Sequence, residues 1–302
     1  MSTISRILFP TDFSLCSQHA EAFVRYLARV CHASVHVLHT LEVFAGVDMM
    51  TIQEADETAG RLNDTLNRLR DDGVPVTSEQ HPGQPDVTIA EVATSQQVDF
   101  IVMGTHGRSG AERLALGSAT EQVIAIAPCP LLMVREPVEP VRTAPSIRFQ
   151  HVLVPVDFST ASLQGLEYGV QLAHDLQASL SLLLMTETEP ADGKVVQINT
   201  PQDSAELGTK LASLAKRVRQ YHPSVHEHIS TGAAEEGILQ FVETQSPDLI
   251  VMGTHGRLGL SRLLWGSTTV DVMHHTSCPV LAVRQLPTRF VSHVVMPARS
   301  HE

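Results

Sequence analysis

Two aspartates and two sets of glycines carry most of the chemistry this sequence can do. Gly104, Gly107, Gly117 and Ser118 are spaced as Gly-x2-Gly-x9-Gly-Ser, and Gly253, Gly256, Gly266 and Ser267 repeat that spacing. A glycine at the exit of a strand admits left-handed backbone and lets another group approach its amides. A Gly-Ser pair opening a helix offers unpaired N–H groups at the positive end of the dipole, which favours an anion. Neither copy is a Walker loop, because Ser stands where Lys would follow the last glycine, and neither is Gly-x-Gly-x-x-Gly. The same spacing also fits a plain turn followed by an N-cap. Asp12 and Asp157 sit in the matching segments ILFPTDFS and VLVPVDFS. Their carboxylates can accept hydrogen bonds from a bound hydroxyl or amine, or from the backbone of the next helix.

The two loops agree well beyond their glycines. Val102 through Arg108, then Gly110, Arg113, Leu114, Gly117, Ser118, Thr120 and Val123 recur in Val251 through Val272. Arg108, Arg113, Arg257 and Arg262 can neutralise phosphate bidentately or stand as solvated loop residues. His106 and His255 are read as exposed loop histidines that can also hydrogen-bond an anion. Outside the loops, Gly83 matches Gly232, Asp99 matches Asp248, and CPLLMVR at Cys129 matches CPVLAVR at Cys278.

The elements that must position these residues alternate strand and helix through each half, which implies a parallel sheet covered on both faces. In the first half strands are expected near Arg6–Pro10, Ser34–Leu41, Pro75–Gln80, Phe100–Gly104 and Leu131–Arg135. Helices are expected near Cys16–Cys31, Glu54–Asp72, Pro85–Gln96 and Ser118–Ala127. Ligands of an open doubly wound sheet lie beyond the carboxyl ends of its strands, where the strand order reverses. Asp12 and the first glycine loop would then face one crevice, and Asp157 and the second loop another. The segment EPVEPVRTAPSIR reads as a linker, so domains are expected at 1–137 and 149–302 with a linker at 138–148. The apolar stretch after Arg284 is expected to add an edge strand.

A chain of 302 residues with 43% hydrophobic content fits two domains better than one core. Its 33 acidic residues against 21 Lys and Arg give a net charge of −12, which repels phosphate backbones and anionic membranes, so neither is an expected partner. The four cysteines have no CxxC spacing and form no disulfide framework, and no apolar run of membrane-spanning length occurs. A reducing cytoplasm is the expected compartment. Among the 16 histidines, His36 with His39 and the pair His274–His275 point apart, and only His226 and His228 share a strand face. No zinc-site spacing appears, so no metal ligands are assigned, and His274 and His275 are read as favouring a helix carboxyl end. No nucleophile elbow or Cys-His constellation is legible, so no catalytic residue is assigned.

The duplicated loop after a fourth strand, with an aspartate closing the first, resembles the ATP-binding subgroup of the universal stress protein family, here as two tandem domains over nearly the whole chain. The resemblance implies an α/β fold in each half, a Rossmann-like, doubly wound, five-stranded parallel sheet of order 3-2-1-4-5. It implies ATP, with ADP or AMP as variants and Mg accompanying the nucleotide. By similarity, Pro10, Asp12, Met103, Gly104, Gly107, Gly117, Ser118 and Ala119 line a first site, with Arg108 at its phosphates and Thr40 at the adenine. Pro155, Asp157, Met252, Gly253, Gly256, Gly266, Ser267 and Thr268 line a second, with Arg257 at its phosphates; Met185 and Thr186 compete for the place of Thr40. The family also implies an intramolecular pseudo-dimer through Leu131–Arg135 and Leu281–Arg284, and a further homodimer is compatible with it. The expected function is a cytoplasmic ATP-binding stress-response or signalling protein with slow or no turnover. The alternatives are a weak ATPase or autophosphorylating enzyme using Asp12, Asp157, His106 or His255, and a nucleotide-free dimerisation module. The HxGH signature of nucleotidyl transferases of similar fold is absent after both first strands.

Overall fold

The computed structural model of the chain describes residues 4–41, 52–105, 118–135, 147–186, 201–254, 267–284 and 294–295. The chain divides into two compact units, Met1–Arg148 and Phe149–Glu302. Most of the linker segment lies outside the described residues.

In the first unit the order is β1 (Arg6–Pro10), α1 (Leu15–Cys31), β2 (Ser34–Leu41), α2 (Ile52–Asp71), β3 (Val76–Pro82), α3 (Pro85–Ser95), β4 (Phe100–Gly104), α4 (Ser118–Ile126) and β5 (Leu131–Val134). Its strands are parallel and lie in the order β3-β2-β1-β4-β5. Strands β4 and β5 are buried at every position, as both faces of a parallel sheet must be when helices cover them. The second unit repeats the plan with β6 (His151–Pro155), α5 (Thr160–Leu176), β7 (Ser179–Thr186), α6 (Pro201–Tyr221), β8 (Val225–Thr231), α7 (Ala234–Gln245), β9 (Leu249–Gly253), α8 (Ser267–His275) and β10 (Val280–Val283). Its order is β8-β7-β6-β9-β10.

The local causes recur in both units. Ser14 and Ser159 cap α1 and α5 by accepting from the Ser17 and Ser162 amides, and both helices end on a left-handed residue, His32 and Gln177. Cys16, Ala20, Phe23, Val24, Leu27 and Cys31 form the buried stripe of α1. At the amino end of the sheet, Asp99 accepts from the Ser5 and Arg6 amides, each at 3.0 Å, and Asp248 accepts from those of Gln150 and His151. These matching aspartates therefore latch β1 to β4 and β6 to β9. Gly83 and Gly232 take φ of 151° and 125° as the chain leaves β3 and β8.

The expected tail strand is not what the structure has at Val294 and Val295, which form a bend clasped between helices. Their amides donate to the Glu167 carboxylate of α5 at 2.8 and 2.7 Å, and their carbonyls accept from Arg217 of α6. No helix among the described residues is long and apolar enough to cross a membrane.

Candidate functional site

Each sheet splits at its middle. Strand β1 pairs with β4 only at Ile7↔Phe100 and Leu8↔Ile101, whereas β4 continues beside β5 as far as Gly104. The second unit splits in the same way after Val152↔Leu249 and Leu153↔Ile250. Pro10 and Pro155 lie beyond these last pairs, where a missing N–H costs β1 and β6 no bond to the neighbouring strand. The crevice of a doubly wound sheet opens here, at the reversal of strand order.

Asp12 and Asp157 stand on the β1 and β6 side of the crevices. Asp12 Oδ1 accepts from the Ser14 amide at 3.0 Å and from the Ser17 hydroxyl at 2.5 Å, and Asp157 Oδ1 accepts from the Ser159 amide at 2.8 Å. The helix-bonding role read from sequence is thus present in both units. It occupies Oδ1. Asp12 is half-buried and Asp157 exposed. Directly after each, Phe13 and Phe158 take left-handed φ of 62° and 61°, a conformation that costs a bulky residue about 1–3 kcal/mol and recurs where function demands it. The Phe13 turn is held by its amide donating to Thr11 Oγ1 at 3.1 Å, by Gln18 donating to its carbonyl, and by its ring lying 4.6 Å from that of His39. His39 Nδ1 in turn lies 2.7 Å from the Thr11 carbonyl.

The glycines ending β4 and β9 have a cause different from the one expected. Neither Gly104 nor Gly253 has positive φ, and the close neighbour is the first turn of α1 or α5, the helix that follows β1 or β6. A Cβ on Gly104 would stand 2.9 Å from the Cys16 carbonyl carbon and Sγ, and one on Gly253 would run into the Ala161 carbonyl. These glycines let α1 and α5 press against the strand ends, which brings the aspartate turns up to the crevice. Met103 and Met252 beside them are buried.

A strut that sequence reasoning missed fixes the helix on the other wall. Thr120 Oγ1 of α4 donates to the Thr105 carbonyl at 3.3 Å, and Thr269 Oγ1 of α8 donates to the Gly253 carbonyl at 3.2 Å. The signal was available, since Thr120 and Thr269 match in the repeat. Ser118 and Ser267 begin α4 and α8, and Ala119 and Thr268 follow half-buried. The structure therefore brings Pro10, Asp12, Met103, Gly104, Ser118 and Ala119 to the carboxyl end of the first sheet, and Pro155, Asp157, Met252, Gly253, Ser267 and Thr268 to that of the second. Gly107, Arg108, Gly117, Gly256, Arg257 and Gly266 lie outside the described residues, as do Arg113, Arg262, His106 and His255.

Thr40 lies half-buried near the end of β2, opposite His81 of β3. Strands β2 and β7 are equally long, so Met185, opposite Ser230, and not Thr186, takes its place in the second unit. The Met185 side chain lies against Gly237 of α7.

Elsewhere the candidate side chains serve the fold. His36 Nδ1 lies 2.8 Å from Thr77 Oγ1, and His275 Nδ1 lies 2.9 Å from the Asp271 carbonyl at the end of α8. All four cysteines are free and buried, and burial pushes the Cys129 and Cys278 thiols far above their ordinary range, with Asp99 and Asp248 adding to it. No group of three or more metal-ligating side chains that could hold an ion occurs among the described residues.

A profile described as the universal stress protein family matches residues 3–135 and 148–284, once per unit. A universal stress protein of Methanocaldococcus jannaschii is 27% identical over 141 residues, covering 45% of this chain and 83% of its own. One from Mycobacterium tuberculosis is 27% identical over 213 residues, covering 70% of this chain and 69% of its own. A crystal structure of a universal stress protein from Archaeoglobus fulgidus superposes with a TM-score of 0.72 at 21% identity, covering 92% of this chain and 98% of its own.

Proposed function

The chain belongs to the universal stress protein family, and from that premise we propose that it is a cytoplasmic stress-response or signalling protein that binds ATP in each of its two units, with slow or no turnover. The observation that carries the reading is the doubled crevice, in which a split between strands, an aspartate turn held in left-handed backbone and a tethered helix start recur together. A helix N-terminus held at the carboxyl edge of a parallel sheet is suited to a phosphate. The carboxylates of Asp12 and Asp157 accept from their own turns at the carboxyl ends of β1 and β6, and a carboxylate has acceptor capacity for a ribose or adenine donor as well.

In this reading Pro10, Asp12, Thr40, Met103, Gly104, Gly107, Arg108, Gly117, Ser118 and Ala119 form the first site. Pro155, Asp157, Met252, Gly253, Gly256, Arg257, Gly266, Ser267 and Thr268 form the second. Magnesium would accompany the phosphates and neutralise part of their charge. The chain's own part is to orient the sugar and base and to neutralise phosphate charge with backbone amides and Arg108 or Arg257.

Calorimetric titration of the full chain with ATP and magnesium is expected to give saturable binding, and Gly117→Asp with Gly266→Asp is expected to abolish it while circular dichroism stays unchanged. Absence of binding in the parent protein overturns the reading. Release of phosphate within minutes in a single-turnover assay would replace it with the ATPase alternative.

A further inference from the structure

The amino ends of the two sheets, opposite the ends at which Asp12 and Asp157 stand, carry side chains that match in position and differ in chemistry. In the first unit Arg6 donates to the Gln96 carbonyl just past the end of α3, and His36 sits between Thr77, at 2.8 Å, and Glu79, at 3.5 Å. In the second unit His151 takes the place of Arg6, and Gln245 that of Gln96. Ser181 takes the place of His36, and His226 and His228 take those of Thr77 and Glu79. A permanent cation and a carboxylate have given way to titratable bases.

Three neighbouring strands bring the second set into one chain of hydrogen bonds. His151 Nε2 of β6 lies 2.8 Å from Ser181 Oγ of β7, and Ser181 Oγ lies 3.4 Å from His228 Nε2 of β8. While both rings are neutral, the Ser181 hydroxyl can donate to the Nε2 of one ring and accept from the Nε2–H of the other. Ser181 is 2% exposed, so water cannot readily replace a lost partner.

Phe241 of α7 packs its ring on both histidines, with centroids 6.3 Å from His151 and 4.9 Å from His228. Among the described residues, the charged or titratable groups acting on the pair are Asp248, before β9, and His226 and Glu227 on β8. Asp248 is engaged by two backbone amides and Glu227 by Arg219 of α6. Neither stands where Glu79 stands in the first unit.

We propose that this His151–Ser181–His228 chain makes the second unit an acid-sensitive element, loosening β7, β8 and α7 as the histidines take up protons while the first unit stays closed. A proton on the accepting Nε2 turns that nitrogen from acceptor to donor and forces the Ser181 hydroxyl to rotate away. A second proton on the other ring places two cations on either side of one buried oxygen, a like-charge pair. Burial already holds both rings below the ordinary histidine value, so the folded unit binds fewer protons than the unfolded chain. Stability is therefore full above about pH 6.5 and falls as the pH drops below it.

Hydrogen–deuterium exchange of the full chain, corrected for intrinsic rates, tests this at about pH 7.5 and about pH 5.5, values on either side of the histidine range. Protection in β7, β8 and α7 is expected to fall at least about threefold at the lower pH, as the second unit opens to take up protons that its folded form resists, while β2, β3 and α3 change less than about twofold. His151→Arg combined with His228→Glu installs the first unit's residues and is expected to remove the response. His228→Gln, which keeps a donor near Ser181 without a titrating ring, is expected to reduce it. An equal response in both units, or an undiminished one in both variants, overturns the proposal.

Discussion

If the proposed site is right, Asp12 has two roles that substitution can separate. Asp12→Asn keeps an oxygen for the Ser14 amide and removes the charge, so stability is expected to stay within about 0.5 kcal/mol while ATP affinity falls about 5–10-fold. Asp12→Ala also removes the turn's acceptor and is expected to cost about 1 kcal/mol more, read by urea denaturation. Gly253 is constrained by backbone, since the carbonyl its Cβ would strike belongs to α5. Gly253→Ala is expected to cost about 1–3 kcal/mol and to push α5 off the sheet. Gly104→Ala is expected to be milder, because part of its crowding comes from the rotatable Cys16 thiol.

At the scale of elements, the two units join equivalent helices by different means. Arg68 of α2 grips Glu21 of α1 with two hydrogen bonds at 2.6 and 2.7 Å, and the Glu21 side chain is only 6% exposed. Arg68→Ala leaves that carboxylate with Thr65 as its remaining named side-chain partner, an expected loss of about 1–3 kcal/mol with faster exchange in α1 and α2. Beside it, the Arg25 guanidinium at 2.6 Å holds the Asp72 carboxyl below the usual carboxylate range. Its contribution is present at neutral pH and is lost as the pH falls through that lowered value. In the second unit Leu166 stands at the position of Glu21, and Arg217, in the place of Arg68, instead joins Glu167 in clasping Val294 and Val295. Removing residues 294–302 is expected to speed exchange in α5 and α6 and to leave α1 and α2 unchanged.

For the whole molecule, duplication supplies an internal control. Each unit that binds ATP is stabilised by about 2.7 kcal/mol at a ligand concentration one hundred times its dissociation constant. Segment-resolved exchange with saturating ATP therefore reports occupancy of the first and second sites separately. The net charge of −12 would not prevent such binding, because groups that contact a ligand act at close range, whereas the overall charge is screened over about 10 Å in ordinary salt.

Sequence alone determined the repeat, the strand and helix succession to within a few residues, and the gathering of Asp12, Gly104 and Ser118, with their counterparts, at one end of each sheet. It could do so because periodicity, caps and strand exits are local properties of the chain. Tertiary structure decided the rest: that Gly104 and Gly253 make room for a helix rather than for left-handed backbone, that Met185 replaces Thr40, that Thr120 and Thr269 tether a helix, and that His151, Ser181 and His228 meet. Those facts depend on register and on distances between residues far apart in the chain, and these exist only once the sheets are packed.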